Sequence, residues 1–281
     1  MSHFKLIVIT KEEPTAPVLT AAMAPYHRYE ATGVDDEYVI DVDITERERA
    51  IYESRLKGSC TFEEYINDSY ALDCPERGRL ERDESGEITR VIYHTNPNAE
   101  WDSWRVGGRW DGELRTKEGY RRNVLRRSDY DFDGICRDAE EEAWEIYRNA
   151  IEHVSEADLK AVHSLEELQA EHVDGNEARA AFYAQPVVCA LKGSIMFTTL
   201  LSVDIPLLRD GPDRLAAHLR NRRLAPYALL TPAHGWQALG SMSMLDRSEH
   251  RMPREEWEAK AYETLRDTPP DHWLTIAECR V

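Results

Sequence analysis

Phe4-Lys-Leu-Ile-Val-Ile-Thr10 (FKLIVIT) and Trp273-Leu-Thr-Ile-Ala-Glu-Cys-Arg-Val281 (WLTIAECRV) stand at opposite ends of a 281-residue chain and read alike. Each is a short apolar, β-branched run of strand length, and the first is closed by the turn-prone Glu12-Glu-Pro-Thr-Ala-Pro17. Working inward, Glu37–Asp43 (EYVIDVD) alternates as a strand, and Glu87–His94 (EITRVIYH) follows the turn Asp83-Glu-Ser-Gly86. Glu100–Val106 reads as the neighbour of Glu87–His94 across the turn Asn96-Pro97-Asn98. Tyr227–Thr231 and Trp236–Met242 flank Pro-Ala-His-Gly as a hairpin.

The middle of the chain has helical period. Trp144, Tyr147, Ile151 and Val154 form a stripe in Asp138–Val154. Ser155–Glu171, a stretch opening at Asn176 and Pro212–Leu224 continue the helical pattern, and Arg254–Thr268 adds one more helix. Thr45 with Glu48, Thr61 with Glu64, and Ser164 with Glu167 have capping-box spacing. Strands from both termini around a helical middle predict one α+β domain over 1–281, with a mostly antiparallel sheet and 138–224 as a candidate helical subdomain.

With 53 acidic against 35 basic side chains the formal charge is −18. Such a surface disfavours direct nucleic-acid binding, since phosphates require a positive partner; it suits a basic partner, imitation of DNA toward a DNA-binding protein, or simple solubility. No apolar run reaches the ~18 residues of a membrane span, and the N-terminal run is too short for a signal peptide. Five separated cysteines without a CxxC pair fit reduced thiols, so a cytoplasmic protein is expected.

Three constellations bear on chemistry. Trp101, Trp104 and Trp110 fall within ten residues, interleaved with Asp102, Arg105, Gly107, Gly108 and Arg109. As a strand, Trp101, Ser103 and Arg105 would share one face, and Asp102, Trp104 and Val106 the other. This segment is the candidate binding site for a small anionic ligand: tryptophans to stack a base, arginines and a Gly-Gly turn to hold a phosphate, Asp102 as a candidate base. The alternative is a tryptophan core with Arg109 paired to a carboxylate. Asp129, Asp131, Asp133, Gly134 and Glu140 match the spacing of a calcium loop, with Tyr120–Arg127 as its preceding helix; an acidic cap on the long helix explains the same residues without a metal. The cluster Glu30–Glu37 reads as solvated acids, and the arginines at 121, 122, 126, 127, 220, 222 and 223 as partners of local carboxylates such as Asp129 and Asp213.

The opening MSHFKLIVI, TNPNAEWDSWRVGGRWDG (Thr95–Gly112), DFDGICRDA (Asp131–Ala139) and the ending PPDHWLTIAECRV together resemble a family of uncharacterised bacteriophage and prophage proteins. Members begin MSHF, carry an NPNAKWDW…GGRW segment and end on a strand close to LTVVDCHI. The resemblance implies a phage-encoded accessory protein and no agreed chemistry. This chain departs from the pattern at Gly240-Ser-Met242-Ser-Met244, and at Glu278-Cys279-Arg280, where relatives read Asp-Cys-His. Two functions follow as expectations: a non-enzymatic protein that binds a host factor or sequesters a ligand, with a counter-defence role, or a nucleotide or phosphoester hydrolase built on the Trp/Arg/Gly-Gly segment. A carboxylate–histidine pair converging on Gly107-Gly108 would discriminate the second from the first.

Overall fold

The computed structural model describes residues 2–72, 74–171, 174–192, 205–241 and 252–281. The strands are β1 (His3–Thr10), β2 (Ile40–Asp43), β3 (Gly78–Arg82), β4 (Ile88–Thr95), β5 (Ser103–Val106) and β6 (Leu114–Arg115). After these come β7 (Arg121–Arg122), β8 (Val124–Arg126), β9 (Ala228–Thr231), β10 (Gly235–Ala238) and β11 (Trp273–Arg280). The principal sheet runs β10-β9-β1-β11-β5, with β8 also paired to β11. The fold is α+β, and its two end strands meet at the centre of this sheet. β1 lies antiparallel to β11 along its full length, from His3 opposite Arg280 to Thr10 opposite Trp273. Only β1 and β9 run parallel among the pairs of this sheet.

Alternation along the two central strands gives the sheet two apolar faces. Phe4, Leu6 and Val8 with Ala277 and Cys279 pack one core, which Trp101 joins and Trp104 partly covers. Ile7 and Ile9 with Leu274 and Ile276 pack the other against Trp257, Ala261 and Leu265 of the helix Arg254–Asp267. A third core is purely helical and draws on the helices Phe132–His153, Gly175–Ala184 and Pro212–Leu224. A fourth lies under the sheet β2-β4-β3, where Val91 and Tyr93 meet Ile66 and Tyr70 of the helix Phe62–Tyr70.

Several local expectations differ from the structure. Glu100–Val106 is not the neighbour of β4: the strand shortens to β5 and pairs with β11, because Trp104 is drawn to the core of β1 while β4 serves the smaller sheet. Tyr120–Arg127 forms β7 and β8 rather than a helix, with Leu125 alone turned into the core. On the long helix Phe132–His153 the buried face is Ala139, Ala143, Ile146 and Ala150; Trp144 and Ile151 are exposed. Small alanines admit the helix Pro212–Leu224 closely, so the bulkier stripe faces outward. Thr61 and Glu64 make the reciprocal capping box, whereas Thr45 sits inside its helix and its hydroxyl receives the Val91 amide at 2.8 Å. The hairpin β9–β10 forms as read; Met242 and Met244 lie outside the described residues.

Candidate functional site

The alternation that builds the second apolar face changes character at one end of the sheet. Along β11 the residues in phase with Leu274 and Ile276 are Glu278 and Arg280; along β1 those in phase with Ile9 and Ile7 are Lys5 and His3. Register sets Lys5 opposite Glu278 and His3 opposite Arg280, while Arg105 and Ser103 of β5 flank them from the other side. One core-directed row thus ends in charge on three adjacent strands.

Glu278 is the centre of this cluster. Its side chain has no exposed surface, an expensive place for a carboxylate unless several donors surround it. His3 Nδ1 lies 2.5 Å from Oε1, Arg105 Nε 2.7 Å from Oε2 and the Arg109 amide 3.1 Å from Oε2. Lost hydration raises the carboxyl, but the hydrogen bonds from Arg105, His3 and the Arg109 amide outweigh it and hold the group down at about 2. Glu278 is therefore an anion throughout the neutral range. The two arginines keep their outer N–H groups in water, with side chains 58% and 61% exposed for Arg105 and Arg109.

The Gly-Gly turn is what lets the loop reach this carboxylate. Gly107 and Gly108 have φ of +72° and +65°, and a Cβ on Gly108 would fall 1.9 Å from Glu278 Oε2. Gly107 donates its amide to Ile276, so the turn begins as a continuation of the β5–β11 pairing. Beneath it Asn123 receives the Gly112 amide at 2.6 Å and donates to Asp111 at 2.6 Å, while its own carbonyl accepts from Ile276. Strand, turn and loop are thereby fixed to the same stretch of β11.

His3 is bound on one side only. Its Nδ1 is engaged by Glu278, while Nε2 has no partner among the described residues and is not a sealed atom. Lys5 bonds Glu113 at 2.9 Å, and Arg280 has no ion-pair partner among the described residues. Lys5, Arg105, Arg109 and Arg280 thus set four cations against the carboxylates of Glu278 and Glu113, on a chain whose formal charge is −18.

No family model, curated protein or solved structure matches this chain. The site is read from its own chemistry.

The structure redistributes the residues of the tryptophan–glycine segment. Arg105, Gly107, Gly108 and Arg109 come together at Glu278. The tryptophans do not form a stacking platform. Trp101 is buried and donates to the Met23 carbonyl at 3.2 Å, and Trp104 and Trp110 are half-buried against the two cores of the principal sheet. Trp101 also leaves the face of Arg105, because the strand starts only at Ser103. Asp102 pairs with Arg28 at 2.9 Å and is not the base of this centre. Cys279 is buried, and burial pushes its thiol up, so it is no nucleophile.

The segment Asp129–Glu140, read from its spacing as a calcium loop, runs into a helix start. Phe132–His153 is continuous helix, so Asp133 and Glu140 stand along one rod instead of closing a loop. Asp131 caps it, accepting the Gly134 amide at 3.1 Å and pairing with Arg115 at 2.8 Å; Asp129 accepts from the Ser128 hydroxyl. No group of three or more potential metal ligands occurs among the described residues. In the cluster Glu30–Glu37, Asp36 meets His27 at 3.2 Å and Asp35 meets His94 at 3.4 Å, partners that spacing alone does not show. Arg126, Arg127 and Arg220 lie over the rings of Trp273, Phe132 and Tyr262, not against Asp129 or Asp213, and Arg223 pairs with Glu142. No helix among the described residues is long and apolar enough to cross a membrane.

A separate cavity of about 420 Å³ lies at the other end of β1 and β9, between Lys11, His234, Lys260, Asp267 and His272. Its lysines are balanced by Glu263 and Asp267, and the acid that His272 meets is the exposed Asp271. It has no counterpart to the sealed Glu278–His3 pair.

Sequence reasoning missed His3 and Lys5 as site residues and met Glu278 only as a departure from a family pattern. The signal was present in phase: in both terminal strands a charge falls on the core-facing alternation. Two such breaks in strands that pair with each other mark one polar centre.

Proposed function

We propose that the chain is an enzyme that hydrolyses a phosphate ester at the His3–Glu278 centre. The observation that supports this is a histidine held through Nδ1 by a sealed, ionised carboxylate, with no partner for its other nitrogen among the described residues, between two half-exposed arginines at a Gly-Gly turn. The carboxylate accepts the Nδ1 proton and fixes the ring, which leaves Nε2 as the nitrogen that carries a proton to the substrate. Arg105 and Arg109 hold the non-bridging oxygens and offset the charge that builds on them. The oxygen of water adds to phosphorus, the ester P–O bond breaks, and His3 protonates the departing alkoxide. The proton shed by the attacking water restores His3.

The test is phosphate release from glycerol 2-phosphate and ethyl phosphate, whose alkoxide leaving groups need a proton, with calorimetric binding of inorganic phosphate beside it. His3→Ala is expected to lower turnover by ~10²–10⁴, the usual contribution of a positioned proton donor. Arg109→Ala should weaken phosphate binding yet change stability by no more than ~0.5 kcal/mol, since the side chain is mostly in water. No turnover of either ester, together with no heat from phosphate, overturns the reading. A second reading, a phage accessory protein that binds a basic host factor, is supported by the charge of −18 and by the family resemblance.

A further inference from the structure

Glu113, which holds Lys5 opposite Glu278, also lines a cleft of about 400 Å³ between the β6–β7 hairpin and the long helix Phe132–His153. The cleft and the Glu278 centre are therefore neighbours through one ion pair. The volume is that of a small-molecule site.

Tyr130 is the informative residue in its wall. It is only 4% exposed, and a tyrosine so buried ordinarily finds a hydrogen-bond partner for its hydroxyl. This hydroxyl bonds to none of the described residues, and it is not a sealed atom, so it opens on the cleft. The charges around it decide what can enter. Arg115 is committed to Asp131 and Asp138 at 2.8 and 2.5 Å, and Arg223 to Glu142. What remains is Arg121, whose guanidinium makes only long or weak contact with the Glu113 carbonyl at 3.4 Å, beside the carboxylates of Glu113 and Asp138, which keep lone pairs for further hydrogen bonds beyond their pairs with Lys5 and Arg115, with Ile135 as an apolar surface. Donors and acceptors in near balance do not attract a second phosphate. They suit hydroxyl groups, which give hydrogen bonds to carboxylates and take them from guanidinium and phenol.

We infer that this cleft takes the sugar of a sugar phosphate whose phosphate is held by Arg105 and Arg109, an inference that rests on the phosphoester reading of the Glu278 centre. The sugar is the shared chemistry of two sources, the ribose of a nucleotide and the hexose of a hexose phosphate. Tyr130 and Arg121 are specificity residues on this view, and His3 remains the proton donor.

The experiment compares inorganic phosphate, glucose 6-phosphate, ribose 5-phosphate and adenosine 5′-monophosphate by calorimetry on the full chain. At least one sugar phosphate is expected to bind tenfold or more tightly than inorganic phosphate, a step of ~1.4 kcal/mol. Tyr130→Phe, which keeps the ring and removes only the hydroxyl, should erase most of that advantage while leaving inorganic phosphate affinity and the melting temperature unchanged; Arg121→Ala should do the same. Preference for the hexose or for the ribose compounds identifies the source. If all four bind alike, or Tyr130→Phe binds sugar phosphates like the wild type, the cleft inference is wrong while Arg109-dependent phosphate binding keeps the centre intact. If inorganic phosphate does not bind at all, the reading of the centre fails and this inference falls with it.

Discussion

Replacing Gly108 by alanine tests the geometry of the centre without removing any charged group. At φ +65° an alanine is in the left-handed region, which costs about 1–2 kcal/mol. The added methyl would also lie 1.9 Å from Glu278 Oε2, 2.7 Å from Glu278 Cβ and 2.9 Å from Arg105 Nε. The carboxylate can swing aside only by giving up Arg105 and the Arg109 amide, and the Cβ belongs to a strand paired on both sides. Overpacking of this kind costs a further ~1–3 kcal/mol. For a chain of this size each kcal/mol lowers the melting temperature by roughly 2–4 °C, so a fall of roughly 4–20 °C is expected by scanning calorimetry. Gly119 supplies the control. Its φ is +86° and nothing lies within 4 Å of where its Cβ would go, so Gly119→Ala carries the backbone cost alone. Should the two variants melt within a degree of each other, the contact with Glu278 is not what reserves position 108 for glycine.

Glu278 has a depressed carboxyl, so its stabilising contribution is present above the unfolded value of ~4.3 and is lost as pH falls toward about 2. The melting-temperature gap between wild type and Glu278→Gln should accordingly be constant near neutrality and narrow below pH ~4; a gap that widens on acidification contradicts the assignment. Asp131→Ala should cost ~1 kcal/mol through loss of the helix cap, and calcium should leave the wild-type melt unchanged. A calcium-dependent rise that Glu140→Gln removes would restore the loop reading. If a basic host protein is the partner, its recovery in pull-downs should drop steeply with added salt; undiminished recovery in high salt points to an apolar interface instead.

The fold was legible where local chemistry agreed with tertiary need. β1, β4, β11, the β9–β10 hairpin and the Thr61–Glu64 capping box follow from alternation, turn residues and cap spacing. β5 was found as a strand but given the wrong neighbour, since pairing depends on which core claims Trp104, and that is not a local property. The face of the long helix was misjudged because bulk was taken as the sign of burial, when close helix packing selects Ala139, Ala143 and Ala150. Within the centre, the arginines and glycines were visible as one segment. Glu278 and His3 were not, because they lie at opposite ends of the chain and only the β1–β11 register joins them.

That register carries a consequence for how the molecule comes into being. His3 and Glu278 are 275 residues apart, and β11 is bonded to β1, β5 and β8 at once. During synthesis β1 leaves the ribosome long before β11, and the edge it will pair with β11 stays open until chain 275 residues further on has been made. Closing so long a loop delays the reward of pairing, so assembly of the principal sheet should be slow and late, and the exposed strand prone to stray association in the meantime. The Ser2 and Val281 backbones also exchange hydrogen bonds at 2.9 and 3.1 Å. A short linker across them, with new ends opened at the exposed Gly119 turn, would make β11 and β1 consecutive and turn the most distant contact in the chain into a local one.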